Sequence, residues 1–272
     1  LLVDWISADV IYEDLRNYLN QKSSVIKSES NSYKDWVIKL NEFAKTEYLE
    51  DEYINYWKAL KNIEYIPLPI DYKNKINNRG SFNNKTLKIK KVPMKTLAHK
   101  LYRLYGIRVH EIILAACLSS VLDWKDGNSI VVDVDNHGRE DIINGIDINR
   151  TVGWFTSIYP YFFKKNEKSI IKYDVEQIVD ICKKIKKVPN NGISHGIIKY
   201  LSNTSDYEIP NSEILFNYFG KEYASEDMVK DYKIRWSEDT TGKQNSDNQE
   251  RKHLFEIIVL ENENYIEVNW GY

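Results

Sequence analysis

The sequence predicts an α/β protein, an α+β layered sandwich in which a mixed β-sheet is packed by helices. Three observations predict it. Strand-like and helix-like runs alternate without a strict βαβ period, which argues against a purely parallel sheet. Residues 109–124 are apolar on nearly every side, so they make a helix that has to be buried. Residues 254–260 and 265–270 are apolar runs joined by Glu261-Asn262-Glu263-Asn264, the pattern of a hairpin. The 272 residues suffice for one large domain or two small ones.

Each element follows in chain order. Residues 6–19 have Ser7 as an N-cap and Val10, Ile11, Leu15, Tyr18 and Leu19 at helical spacing. Residues 21–32 are polar and Ser-rich, a loop. Residues 33–44 form an amphipathic helix through Trp36, Ile38, Leu40 and Phe43, and residues 47–62 a second through Tyr53, Tyr56, Trp57 and Leu60. Pro67 and Pro69 keep residues 66–70 extended. The charged, Asn-rich stretch 71–84 is a surface loop. Residues 85–91 alternate Leu87 and Ile89 with Thr86, Lys88 and Lys90, a half-exposed strand. A helix at 94–105 ends at Gly106. After the 109–124 helix, Asp126-Gly127-Asn128 turns the chain into a strand at 130–134. Residues 150–163 are a second strand-like run, with Trp154 and Phe155 in the core and a backbone bend at Gly153. A helix at 169–187 carries basic residues at its C-terminal end, as its dipole favours. In 189–196, Gly192 and Gly196 read as turn glycines and His195 as solvent-facing. Strands are expected at 213–219 and 232–236, with polar loops at 224–231 and 237–251.

The bulk numbers exclude several classes. A net charge of -2 argues against a nucleic-acid binder that relies on a global basic field. The longest apolar run, residues 112–118, is too short to span a bilayer, and the start shows no charged-then-apolar leader. Cys117 and Cys182 lack metal-ligand spacing, so no zinc site and no disulfide framework is expected, and a reduced cytoplasm is the expected compartment.

The most informative stretch lies between residues 131 and 163. A β-branched strand breaks into a polar knot, Asp135-Asn136-His137-Gly138-Arg139-Glu140, and then Arg150-Thr151-Val152-Gly153-Trp154-Phe155-Thr156-Ser157-Ile158-Tyr159-Pro160 follows. Five ionisable or amide side chains beside one glycine at a strand end have the marks of a site, because strand ends are rigid while their side-chain tips stay open. Two later segments join them, Pro189-Asn190-Asn191-Gly192-Ile193-Ser194-His195-Gly196 and Phe216-Asn217-Tyr218-Phe219-Gly220.

In this order the four segments resemble the epimerization domains of nonribosomal peptide synthetases, sisters of the condensation domains. The family pattern is Glu-Gly-His-Gly-Arg-Glu, Arg-Thr-Val-Gly-Trp-Phe-Thr-x-x-Tyr-Pro, Pro-x-x-Gly-x-x-Tyr-Gly and Phe-Asn-Tyr-Leu-Gly. This chain departs from it at Asp135 (Glu in the pattern), Asn136 (Gly), His195 (Tyr) and Phe219 (Leu). A His-His-x-x-x-Asp-Gly motif belongs just before, so that Leu1-Leu2-Val3-Asp4 supplies its x-x-x-Asp, Trp5 stands at the Gly, and the two histidines precede Leu1. The resemblance implies a chloramphenicol-acetyltransferase-like lobe. It implies residues 1–20 as the remnant of an N-terminal lobe, 21–62 as connecting helices and 63–272 as the C-terminal lobe of the domain.

The implied activity is inversion at the α-carbon of an aminoacyl or peptidyl thioester. That needs a base, an acid on the opposite face and a donor for the developing oxyanion. The resemblance implies no bound metal or organic cofactor, the substrate arriving on the phosphopantetheine arm of a carrier domain. Implied partners are that carrier, neighbouring synthetase domains and the missing lobe, with neither nucleic acid nor membrane. By position, Asp135 takes the catalytic carboxylate's place. It is one methylene short of Glu, so its carboxylate retreats by roughly 1.5 Å, a displacement that can cost about a hundredfold in rate. The bland reading is a carboxylate capping the next turn. Asn217 and Tyr218 lie in the same channel by resemblance and, on a strand, point to opposite faces; Tyr218 is a candidate proton donor or oxyanion partner. Asp4, His137, Arg139 and Gly153 shape the site. His137 reads as a structural histidine within a turn, although it has the chemistry of a general base. Arg139 has the chemistry to bind a carboxylate or phosphate, and reads rather as a brace paired with Asp133, Asp135 or Glu140. Lys95, Lys100 and Arg103 lie on one side of a helix and suit an acidic carrier, or are simply a solvated face. Two other readings stand beside epimerization: a condensation domain forming peptide bonds, and a degenerate module that only docks a carrier.

Overall fold

The computed structural model describes the chain except for residues 1, 20–29, 62, 73–75, 166–174, 203–206, 210, 222–241 and 244. The expected strand at 232–236 and loop at 224–231 lie outside the described residues. Helices α1 to α7 are Trp5–Leu19, Tyr33–Phe43, Glu47–Asn55, Lys91–Tyr105, Val109–Trp124, Val175–Ile185 and Ile193–Leu201. Strands β1 to β6 are Asn84–Lys90, Ser129–Asn136, Ser157–Lys164, Ile214–Lys221, Phe255–Glu261 and Tyr265–Gly271. They form one sheet in the order β1-β6-β5-β4-β2-β3. It is mixed: β6 is antiparallel to β1 and β5, whereas β4 and β5 are parallel. The chain divides into two compact units, one of Leu1–Glu64, Val134–Tyr161 and Lys186–Pro210, the other of Tyr65–Asp133, Phe162–Ile185 and Asn211–Tyr272.

In the first unit, α1 starts at Trp5 because Asp4 caps it: the Asp4 carboxylate accepts from the Ser7 N–H at 2.7 Å. Ser7 is therefore inside the helix and not its cap. α2 opens on a reciprocal capping box between Ser32 and Asp35. The helix expected over 47–62 is shorter. It breaks at Tyr56 (φ -123, ψ -64) and continues as a 3-10 turn, Trp57–Leu60. The break places Trp57 fully inside, where its indole N–H donates to Ser194 Oγ at 3.0 Å. Burying an aromatic of this size outweighs one lost turn of helix.

Ser194 belongs to α7, which the turn-like glycines concealed. Asn190, Asn191 and Gly192 all have positive φ, a conformation that Asn and Gly tolerate best. The chain then enters α7, and Ile193, Ile197 and Ile198 are buried. Gly192 is a turn glycine, while Gly196 is an interior helical residue. His195 is not solvent-facing. It is 8% exposed, with Nδ1 2.6 Å from the Tyr207 hydroxyl. The run at 150–163 is a strand only from Ser157. Phe155 is core, but Trp154 is 37% exposed and is not.

In the second unit, α5 is buried along most of its length, as its apolar surface demands. α4 begins at Lys91, earlier than expected, because Pro93 sits in the first turn, where no N–H is needed. Gly106 ends it in the left-handed conformation (φ 66), and α5 leaves at 101°. The β5–β6 hairpin pairs Val259 with Val268 and Ile257 with Trp270. No single helix among the described residues is long and apolar enough to cross a membrane.

Candidate functional site

The polar knot sits at the end of β2, in the first unit. Asp135 is the penultimate residue of that strand and is mostly buried. Burial pushes its carboxyl up to about 7, so it exchanges a proton near neutrality. Beyond it the chain is tied in a net. The Asn136 amide N–H2 donates to Glu140 Oε1 and to the Asn191 carbonyl, each at 3.2 Å. The Asn136 side-chain oxygen accepts from the His137 N–H at 2.9 Å. His137 Nδ1 accepts from the Arg139 N–H at 2.9 Å, which assigns its proton to Nε2, 3.6 Å from Glu140 Oε1. Asn191 Nδ2 donates to Glu140 Oε2 at 2.8 Å. Gly138 has φ 66, and a Cβ there would lie 1.8 Å from the Phe155 carbonyl oxygen, so only glycine closes this turn.

Arg139 braces the knot, but through Asp4 and not through Asp133, Asp135 or Glu140. Its guanidinium donates to both Asp4 oxygens at 2.9 and 3.1 Å, to Ser7 Oγ at 2.9 Å, and to the carbonyls of Ile148 and Thr151 at 2.6 and 2.9 Å. It also lies 4.0 Å from the Phe155 ring centroid. Burial alone would raise the Asp4 carboxyl, yet the hydrogen bonds from Arg139 and Ser7 outweigh it and the pKa lies below the ordinary value. Gly153 closes the same knot: its carbonyl accepts from the Asp4 N–H and the Ser7 hydroxyl, at 3.0 and 2.8 Å. Its glycine character answers to a close approach and not to a left-handed bend, since a Cβ would meet the Tyr33 ring at 2.4 Å.

Asn217 and Tyr218 lie on β4, in the second unit, opposite Ile258 and Val259 of β5. The Tyr218 hydroxyl donates to the Glu261 carboxylate, and Glu261 pairs with the buried Lys91 at 2.8 Å. Burial and the Glu261 carboxylate hold the phenol well above its ordinary range, so Tyr218 keeps its proton firmly. The Tyr218 ring lies 5.5 Å from that of His110. Lys95, Lys100 and Arg103 are exposed on α4.

Sequence reasoning missed Lys91 and Glu261, and also a buried cluster on β2. Asp133 accepts from His253 Nε2 at 2.8 Å and from Lys252 Nζ at 2.7 Å. A signal was there: Arg251 and His253, leading into an apolar strand, cannot be buried without carboxylates nearby, while Lys252 between them stays exposed. No group of three or more His, Cys, Asp or Glu residues suited to a metal ion occurs among the described residues.

Comparison with known proteins bears on this geometry. The condensation-domain family model matches residues 1–272. Bacitracin synthase 3 of Bacillus licheniformis is 30% identical over 229 residues, which cover 81% of this chain and 4% of that protein. Gramicidin S synthase 1 of Brevibacillus brevis is 29% identical over 232 residues, covering 81% of this chain and 21% of that protein. Among solved structures, the epimerization domain from the third module of tyrocidine synthetase B superposes with a TM-score of 0.84 at 25% identity, over 100% of this chain and 61% of that one. The X-domain from teicoplanin biosynthesis gives 0.67 at 16% identity, over 100% and 61%, a likeness of fold alone. The chain thus spans a small part of the synthases it matches and about 61% of these solved domains.

Proposed function

We propose, from the premise that this chain belongs to the condensation-domain family, that it forms part of an epimerization domain of a nonribosomal peptide synthetase. Its layered lobe is of the chloramphenicol-acetyltransferase-like kind. The single observation that carries the reading is the Asp135 carboxyl, buried at a strand end and raised to about 7. A carboxyl of ordinary pKa is a weak base and a wholly ionised acid at neutral pH. One near 7 can take or return a proton with little penalty.

The chemistry follows. The substrate is an aminoacyl or peptidyl thioester on a carrier domain. A base removes the α-proton, the C–H electron pair moves into the thioester carbonyl as an enolate, and an acid delivers a proton to the opposite face. Asp135 is one of the two proton-transfer groups. The resemblance assigns the other to the second histidine of a His-His pair, which this sequence does not hold. The hydrogen bonds through Asn136, Glu140 and Asn191, with the Arg139–Asp4 brace, hold the turn beyond Asp135 rigid. The resemblance assigns Asn217 and Tyr218 to the enolate oxygen; the Tyr218 hydroxyl, whose proton goes to Glu261, stays protonated and would have to leave Glu261 to act there. No metal is asked to take part.

The similarity to the tyrocidine synthetase epimerization domain and the four ordered motifs favour this over peptide-bond formation. The departures at Trp5, Asp135 and Asn136 favour a docking module. One experiment separates the three. The full protein containing this chain, with its carrier loaded with an L-aminoacyl thioester, is incubated in deuterated water. Deuterium at the α-carbon supports epimerization, dipeptide with a second loaded carrier supports condensation, and neither product leaves docking.

A further inference from the structure

Asn190 and Asn191 stand consecutively in the left-handed region, at φ 46 and 49, and Gly192 follows at φ 86. Asn tolerates this conformation better than most residues, yet two in succession store strain that the surroundings have to hold. The turn is pinned on three sides. Asn190 Nδ2 donates to Glu52 Oε2 of α3 at 2.6 Å and to the Tyr48 hydroxyl of the same helix at 3.3 Å. Ser194, just past the turn, accepts from the buried Trp57 indole. Gly192 lies against β3, where a Cβ would come 2.0 Å from the Tyr159 ring. Asn191 is what this pinned turn projects. Its side chain donates to Glu140 Oε2, and its carbonyl accepts from Asn136, the residue next to Asp135. One amide thus holds each Glu140 oxygen, Asn136 on Oε1 and Asn191 on Oε2.

Little of this arrangement serves stability. Asn191 is exposed, so water competes for its hydrogen bonds. The second Glu52 oxygen is buried and makes no hydrogen bond among the described residues, which is unfavourable in itself. A turn that is strained, half-satisfied and aimed at one strand end has the marks of a positioning device. We propose that the Asn190-Asn191 turn is a strap that fixes the Asp135 carboxyl from α3, with Glu52, Asn190, Asn191 and Asn136 as positioning residues acting through Asp135. The strap rests on the reading of Asp135 as a proton-transfer group. Such a group works only where its oxygen stands within a fraction of an ångström of the reacting proton. Cutting the strap also lets water reach the strand end, which returns the Asp135 carboxyl from about 7 toward the ordinary carboxylate range.

Asn191→Gly makes the cut that tests this. Glycine takes the left-handed backbone without strain, so only the amide is lost and the urea midpoint should stay near that of the parent. The full protein containing this chain, with its carrier loaded with an L-aminoacyl thioester, is followed by α-proton exchange in deuterated water. Asn191→Gly is expected to lower kcat about tenfold or more while KM stays within about twofold. The inflection that Asp135 gives the pH–rate profile should move to lower pH. Asn136→Ala cuts the same link from the strand side, without touching the turn. Its loss and that of Asn191→Gly should not add in the double variant, because one network carries both. A turn that is merely structural gives the reverse result, a lower urea midpoint with kcat and the inflection unmoved, and that result in Asn191→Gly and Asn136→Ala overturns the strap. Should the parent show no exchange, epimerization falls by itself, and infrared difference spectra against Asp135→Asn decide. A carboxyl titration that Asn191→Gly moves to lower pH supports the strap, and an unmoved one overturns it.

Discussion

Asp133 and Asp135 lie two residues apart on β2, and their carboxyls move in opposite directions. Burial pushes both up. At Asp133 the hydrogen bonds from His253 and Lys252 outweigh it, and the carboxylate stays ionised. At Asp135 burial prevails and the carboxyl reaches about 7. One strand therefore carries a carboxylate tied into an ion pair and another poised to exchange protons. A buried carboxylate that brings its own cations is architecture; one left near neutrality is a candidate for chemistry. The contrast lies in the partners and not in the residue type.

The contrast can be broken most directly at the ion-paired residue. Asp133→Asn takes from the buried His253 the carboxylate it hydrogen-bonds and from Lys252 its counter-charge, and breaking such a buried network costs about 3–5 kcal/mol, read from the urea midpoint at pH 7.5. A cost below about 1 kcal/mol would place Asp133 outside the structural role. Asp135 has the reverse signature. Its pKa is raised on folding, so its contribution to stability is present in full below the unfolded value near 4 and is lost as pH rises through about 7. Between those pH values the parent chain should lose about 3 kcal/mol relative to Asp135→Asn, which has nothing to ionise. Parallel stability curves for the two would show that burial does not control this carboxyl. Asp133 runs the other way, its contribution being present above pH 4 and lost as pH falls through its lowered folded value.

Function sharpens the comparison next. Asp135→Glu restores the missing methylene, and in the full protein it is expected to raise α-proton exchange by up to about a hundredfold; an unchanged rate removes Asp135 from the proton path. The smallest effect belongs to Lys252, whose side chain is 58% exposed. Lys252→Ala should cost no more than about 1 kcal/mol, because His253, buried against the same oxygen, carries most of the stabilisation. A double-mutant cycle on Asp133 with each partner checks that order.

Much of this is legible in the sequence. The all-round apolarity of residues 109–124 admits only a buried helix, and α5 is one. Glu261-Asn262-Glu263-Asn264 between two apolar runs marked the β5–β6 hairpin. The glycine in His-Gly-Arg marked a turn that no other residue could close. Other elements were hidden. α7 was masked by Pro189 and Gly192, whose turn chemistry is real but ends at Ile193; the helix after it is held by Ser194 beneath Trp57, 137 residues away. Trp154 reads as core together with Phe155, but only Phe155 is buried, because side chains alternate with no fixed period in the segment before β3.

What the chain determines by itself is the set of its elements, their apolar faces and the chemical groups at the end of β2. Those follow from period, propensity and turn residues, which act over a few positions. Which charge meets which was decided only by the tertiary structure. Arg139 has four carboxylates within six residues and takes Asp4, 135 positions away. Asp133 takes a histidine 120 positions on, and that partnership sets its proton affinity apart from that of Asp135. Coulomb and desolvation energies depend on distance in space and on the exclusion of water, and neither exists until the chain has folded.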